Sequence, residues 1–208
     1  VRESNNKNLI NFSDIEKILQ DKNIISKSSS SPEDIASLIY TSGTTATPKG
    51  VLLSHKNICS NFKSLAKVNI YLQSDNIISF LPLHHTYSFM VTLILPILLG
   101  AKVTYVLSFK SQEMVDIIRE AKVTILVGVP QFFSLLHKAI FERIKKIPRF
   151  LFPFVSLFLK MKVRQQFGNS LRFLVSGGAR LDVRISKDLA NLLGVKFLEG
   201  YGLTETSP

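Results

Sequence analysis

Thr124-Ile125-Leu126-Val127-Gly128-Val129-Pro130 is the stretch on which the fold turns. Its apolar residues follow one another without the polar alternation of a half-exposed strand, so it reads as a strand covered on both faces. A helical pattern over 130–141 follows at once. Outward in both directions the same rhythm recurs. Short β-branched and apolar runs predict strands over 36–41, 51–53, 77–81, 102–106, 124–127, 172–175 and 196–199. Helices are predicted between them, over 56–68, 89–99, 111–120, 130–141 and 183–193. Ser111 and Asp182 are placed to cap two of these through first-turn amides. Strands alternating with helices predict an α/β fold, a mostly parallel sheet with helices on both faces. Ligands in such sheets bind beyond the carboxyl ends of the strands. Residues 1–31 are polar, end in Ser-Lys-Ser-Ser-Ser-Ser and read as a lead-in or linker, so the domain is expected over 32–208.

The chain has 208 residues, 46% hydrophobic and 20% charged, enough apolar surface for a core, which excludes wholesale disorder. A single cysteine, Cys59, excludes an internal disulfide framework and a zinc site built on several thiolates. On its helical run it reads as a small buried residue, in a reducing cytoplasmic setting. The net charge of +11 invites a nucleic-acid reading, but the 26 Lys and Arg are scattered, with no long basic run. Lacking a recognition motif or a basic stripe with aromatics, the chain is expected to bind no nucleic acid. A basic surface still attracts nucleotides, phosphates and acidic lipid headgroups. The start, VRESNNKNL, lacks the charged-then-apolar pattern of a signal peptide.

Residues 76–101 hold no Lys, Arg, Asp or Glu before Lys102 and are long enough to cross a bilayer. Pro82, Pro96 and the pair His84 and His85 make a spanning helix costly, so a buried strand, a turn and a core helix are expected instead. Residues 144–164, IKKIPRFLFPFVSLFLKMKVR, break the alternation with an apolar stretch between basic flanks. Two readings compete for it: a helical insert packed on the domain with its lysines reaching water, and a peripheral contact with a membrane surface. Pro148 and Pro153 favour the packed insert, by interrupting any long amphipathic helix.

Tyr40-Thr41-Ser42-Gly43-Thr44-Thr45-Ala46-Thr47-Pro48-Lys49-Gly50 follows an apolar strand and carries five hydroxyls in positions 41–47. Amides of a Gly/Ser/Thr loop can turn inward as a concave donor set for phosphate oxygens. Hydroxyls add donors, and Lys49 adds charge. The pattern is not a Walker A loop, since Pro48 precedes the lysine and Gly50 follows it. The plainer alternative is a polar strand-to-strand hairpin.

This loop resembles the phosphate-binding signature of the adenylate-forming (AMP-binding) enzymes, the superfamily of acyl-CoA synthetases, luciferases and peptide-synthetase adenylation domains. Three further stretches match in order. Phe80-Leu81-Pro82-Leu83-His84-His85-Thr86-Tyr87-Ser88-Phe89 resembles the family's Pro-x-x-His segment. Val175-Ser176-Gly177-Gly178-Ala179 is similar to its adenine-side turn, and Glu199-Gly200-Tyr201-Gly202-Leu203-Thr204-Glu205-Thr206 to its Tyr-Gly-x-Thr-Glu motif. The bulky segment before Phe167-Gly168 and the ending look most like long-chain fatty acyl-CoA synthetases. The resemblance implies a ligase that joins a fatty acid's carboxylate to the α-phosphate of ATP, releases pyrophosphate and passes the acyl group to CoA. It further implies that Thr41, Ser42, Gly43, Thr44, Thr45 and Lys49 hold the β- and γ-phosphates. Gly177, Gly178 and Ala179 would let adenine lie against backbone, with Tyr201 stacked on it and Gly202 beside it. Thr204 would bond the α-phosphate, and Glu205 would help hold Mg²⁺, a cation suited to oxygen ligands. His85 would face the reacting carboxylate while His84 packs.

Two departures from the family pattern carry expectations. The family has glycine where this chain has Ala46. At positive φ the methyl would cost ~1–2 kcal/mol, so nucleotide binding is expected to be weaker, and glycine at 46 to tighten it in calorimetry. The family's pattern also continues past Glu205 into a ribose-binding aspartate, a hinge and a small domain with the catalytic lysine. The chain is therefore expected to be part of an N-terminal domain and inactive alone, its C-terminal domain absent or separately encoded. The competing expectation is a non-catalytic nucleotide- or lipid-binding remnant at a membrane surface.

Overall fold

The computed structural model describes residues 29–41, 47–106, 111–144 and 152–207. The chain divides into two compact units, Val1–Pro32 and Glu33–Pro208, and the elements that follow belong to the second. Strand β1 (Ile35–Thr41) pairs antiparallel with β2 (Lys49–Ser54), which sets Thr41 opposite Lys49 and Leu38 opposite Leu52. These two strands stand apart from the parallel sheet expected of them. A parallel crossover takes about a dozen residues or more, and residues 42–48 are too few, so the chain turns back on itself.

The remaining strands form the expected parallel sheet. They are β3 (Asn76–Ser79), β4 (Lys102–Tyr105), β5 (Ile125–Gly128), β6 (Phe173–Ser176) and β7 (Lys196–Glu199), in the order β4-β3-β5-β6-β7. Every neighbouring pair is parallel. The central β3 and β5 are buried along their whole length: β5 has no polar side chain, and β3 buries Ile77 and Ile78 between the polar Asn76 and Ser79. Period two divides their side chains between two cores. Ile78, Leu126 and Leu174 face one core, with Met114, Phe133, Val163 and Leu189; Ile77, Ile125, Val127 and Val175 face the other.

Helices cover both faces. After α1 (His55–Lys67) come α2 (Thr86–Phe89), a π-helical turn (Met90–Ile94) and α3 (Leu95–Leu99) in one continuous run on the smaller core. Pro96 has no amide to bond the carbonyl of Thr92, and the helix widens into its π turn just before that point. The larger core is covered by α4 (Ser111–Glu120), α5 (Pro130–Ile144), α6 (Phe152–Gln166) and α7 (Val183–Leu193). Asp182 caps α7, accepting from the Arg184 amide at 2.7 Å, whereas Ser111 is the first residue of its helix rather than the residue before it.

Three expectations need correction. Pro153 does not stop a helix, because it is the second residue of α6, where an amide has no intrahelical partner to lose. Cys59 is exposed. On α1, residues 58, 61, 62, 65 and 66 form the partly covered face, and Cys59 lies at its margin. His84 is exposed rather than packed into the core, with its ring 4.3 Å from that of His85.

A polar network binds the amino ends of β3, β5 and β6 to one another. Asp75, 1% exposed, accepts from Arg172 Nη1 at 2.5 and 2.6 Å, from the Thr124 hydroxyl at 2.7 Å and from the Leu72 amide at 2.7 Å. The next residue, Asn76, donates its side-chain amide to the Ala121 carbonyl and accepts from the Thr104 hydroxyl. These buried groups thereby replace the bonds they would otherwise make to water.

Candidate functional site

At the opposite, carboxyl edge the strand order reverses: β3 is followed in sequence by β4 on one side and then by β5 on the other. That reversal opens the crevice in which ligands of such sheets bind. Tyr87, on α2, closes the floor of this edge. Its hydroxyl donates to the Val175 carbonyl at 3.3 Å, and its ring lies where a β-carbon on Gly177 would be. Burial is the main cause that pushes its phenol pKa far up, with Tyr71 adding to it, so the group stays a neutral donor. The Gly200 amide donates to the Ser176 carbonyl at 2.7 Å, which ties the turn after β6 to the run after β7.

That run, 200–207, then meets two other parts of the chain. The Thr86 hydroxyl donates to the Thr204 hydroxyl at 2.9 Å, so Thr204 sits beside the first turn of α2 and its N-cap residue, His85. Thr41 Oγ1 donates to Glu205 Oε1 at 3.5 Å, which brings the start of the hydroxyl-rich loop to the acid. Asn61 of α1 holds the carbonyl of Ser207. His85, Thr204, Glu205, Thr41 and, opposite Thr41, Lys49 thus share one edge. Thr41 and Thr204 are half-buried there, while His85, Lys49 and Glu205 are exposed.

The other residues singled out from sequence are placed less tightly. Tyr201 is 94% exposed, and Gly202 is exposed beside it. Gly178 has φ +83°, and a β-carbon there would meet no atom closer than 4.0 Å; Ala179 faces solvent. Gly177 is buried, and the space its absent side chain leaves is taken by Tyr87. Ser42, Gly43, Thr44, Thr45 and Ala46 lie outside the described residues. Three residues of this edge escaped the sequence reading. Thr86 was visible only as the neighbour of His85, and Tyr87 only as an aromatic in an apolar run. Ser176 is 1% exposed, and its hydroxyl has no hydrogen-bond partner among the described residues.

Residues 3–208 match the sequence profile of the family described as AMP-binding enzyme. The chain belongs to the AMP-binding enzyme family. The match begins well ahead of Tyr40, where the first of the quoted motifs starts. Within this AMP-binding family, long chain acyl-CoA synthetase 6, peroxisomal, of Arabidopsis thaliana is 29% identical over 197 residues, 85% of this chain and 28% of the plant protein. Long-chain-fatty-acid–CoA ligase 4 of Saccharomyces cerevisiae is 32% identical over 197 residues, 84% of this chain and 28% of the yeast protein. ATP-bound MatB from Rhodopseudomonas palustris superposes with a TM-score of 0.67 at 28% identity, over 86% of this chain and 31% of MatB. The chain thus spans less than a third of the length of these relatives.

Proposed function

We propose that this part of an AMP-binding enzyme forms the phosphate-facing edge of an ATP-dependent acyl-activating site, with a long-chain fatty acid as the carboxylate and CoA as the acceptor. One observation carries the reading: Thr41, the residue from which the hydroxyl-rich loop starts, lies 3.5 Å from the acid after β7, Glu205. The donor set fits a nucleoside triphosphate. Hydroxyls at Thr41 and Thr204 and the cation of Lys49 suit phosphate oxygens, and the Ser176 hydroxyl, unpartnered among the described residues, is one more polar group at that edge. Among the described residues no group of three His, Cys, Asp or Glu could hold a metal. Glu205 therefore fits a Mg²⁺ ion ligated mainly by phosphate and water, the usual habit of that cation.

In this reading the chain's residues position and neutralise charge rather than form covalent bonds. A carboxylate oxygen attacks the α-phosphorus, pyrophosphate leaves, and the resulting acyl-adenylate then yields its acyl group to the CoA thiol with release of AMP. Lys49 and the loop hold the leaving pyrophosphate, and Thr204 orients the α-phosphate. His85 donates a hydrogen bond to the acyl-phosphate oxygens. Tyr201, 94% exposed, stacks on adenine. The single cysteine agrees with a reducing, cytoplasmic setting. Calorimetry with ATP and Mg²⁺ tests this. Thr204→Val is expected to weaken binding about tenfold or more, the loss of a hydrogen bond to a charged group. Equal affinity of the wild-type and Thr204→Val chains, or no binding by the wild type, would overturn it.

A further inference from the structure

Helix α6 presents two unlike apolar faces. Leu159 and Val163 turn inward to the larger core. Leu157, Phe158 and Met161 turn outward and are 68%, 62% and 56% exposed, although they are large and apolar. At 3.6 residues per turn these three fall within an arc of about 100°, and Lys160 and Lys162 fall just outside it, one on each side. Both lysines are exposed. The arrangement is that of a helix lying flat in an interface, its apolar ridge directed down and its cations spreading to the headgroups.

Charge decides which kind of surface it fits. From Arg143 to Leu181 there is not one Asp or Glu, while Lys and Arg recur throughout; Asp188 of α7, which borders the same groove as Lys160, is on the flank of α6 away from its outer apolar ridge. The cores of protein interfaces are depleted in lysine, whereas anionic lipid attracts it. Among the described residues no helix is long and apolar enough to cross a membrane, which leaves contact along the surface. We propose that the outer face of α6, with Leu157, Phe158 and Met161 between Lys160 and Lys162, docks on an anionic bilayer surface. The proposal stands independently of the nucleotide site, which lies on other elements.

Flotation of the full 208-residue chain with phosphatidylcholine vesicles, with and without phosphatidylserine, tests it. Binding is expected only where phosphatidylserine is present, and it weakens as salt is raised. The triple variant Leu157→Asn, Phe158→Asn, Met161→Asn should lose it, and Lys160→Gln with Lys162→Gln should lower affinity about 25-fold, fivefold per lysine. Because these side chains are exposed, unchanged far-UV circular dichroism is expected to accompany both losses. The chain contains no tryptophan, so Phe158→Trp supplies a single reporter whose emission should shift to the blue on phosphatidylserine vesicles. Val68→Trp, exposed at the end of α1, should not shift. Equal binding to both vesicle types, undiminished binding by the folded triple variant, or a shift at 68 but not at 158 would each overturn the proposal. Binding to neither vesicle would overturn it too, and leave a protein as the occupant of this face.

Discussion

The two ends of the parallel sheet handle their polar groups in opposite ways. At the amino ends, Asp75 is 1% exposed and accepts bonds of 2.5–2.7 Å from a guanidinium, a hydroxyl and an amide. At the carboxyl ends, Glu205 is exposed and meets a single hydroxyl among these contacts, at 3.5 Å. A buried charge with its bonds completed holds three strands in register and has little left to offer a ligand. An exposed carboxylate with a long contact contributes little to stability and remains available. The contrast fits the first end to maintaining the fold and leaves the second available for the binding role proposed for it.

The sharpest way to break that assignment is Asp75→Ala. It leaves Arg172, the Thr124 hydroxyl and the Leu72 amide without their shared acceptor, and is expected to destabilise the chain by about 3–5 kcal/mol in urea unfolding. A loss below ~1 kcal/mol would show that the amino-end network is not what holds the strands. Next in size is Gly177→Ala. Its methyl would overlap the Tyr87 ring, and overpacking of this kind costs about 1–3 kcal/mol. Adding Tyr87→Leu should restore part of the loss; if the double variant is no more stable than Gly177→Ala alone, Tyr87 is not the cause. The smallest expected effect is that of Glu205→Gln, within about 0.5 kcal/mol of wild type in the same unfolding measurement. Its Mg²⁺-dependent affinity for ATP should fall nevertheless. A large stability loss would place Glu205 with the structural end instead.

Much of the fold was legible because buried parallel strands have a text of their own. The runs around Ile125 and Phe173 needed no context, and β7 lies over the residues predicted for it, Lys196–Glu199. Both strands of the β1–β2 pair and the hairpin alternative between them were legible, but not that the pair stands outside the parallel sheet, because its apolar residues resemble those of the sheet. Cys59 was misread because its exposure depends on which face of α1 the rest of the chain covers. Helix α6 shows the same gap. Its composition announced apolar residues among cations, but not which of them would be turned outward.

At the site, residue types and their order were available from the text, since hydroxyls, glycines, a lysine and a glutamate declare their chemistry wherever they stand. Their meeting was not. Thr41 and Glu205 are 164 residues apart, and Thr86 and Thr204 are 118 apart. Local propensity acts over a few residues, so it cannot bring such pairs within hydrogen-bonding distance. That was decided by the strand order β4-β3-β5-β6-β7 and by the hairpin's position beside it, both set by how the apolar faces of distant segments cover one another.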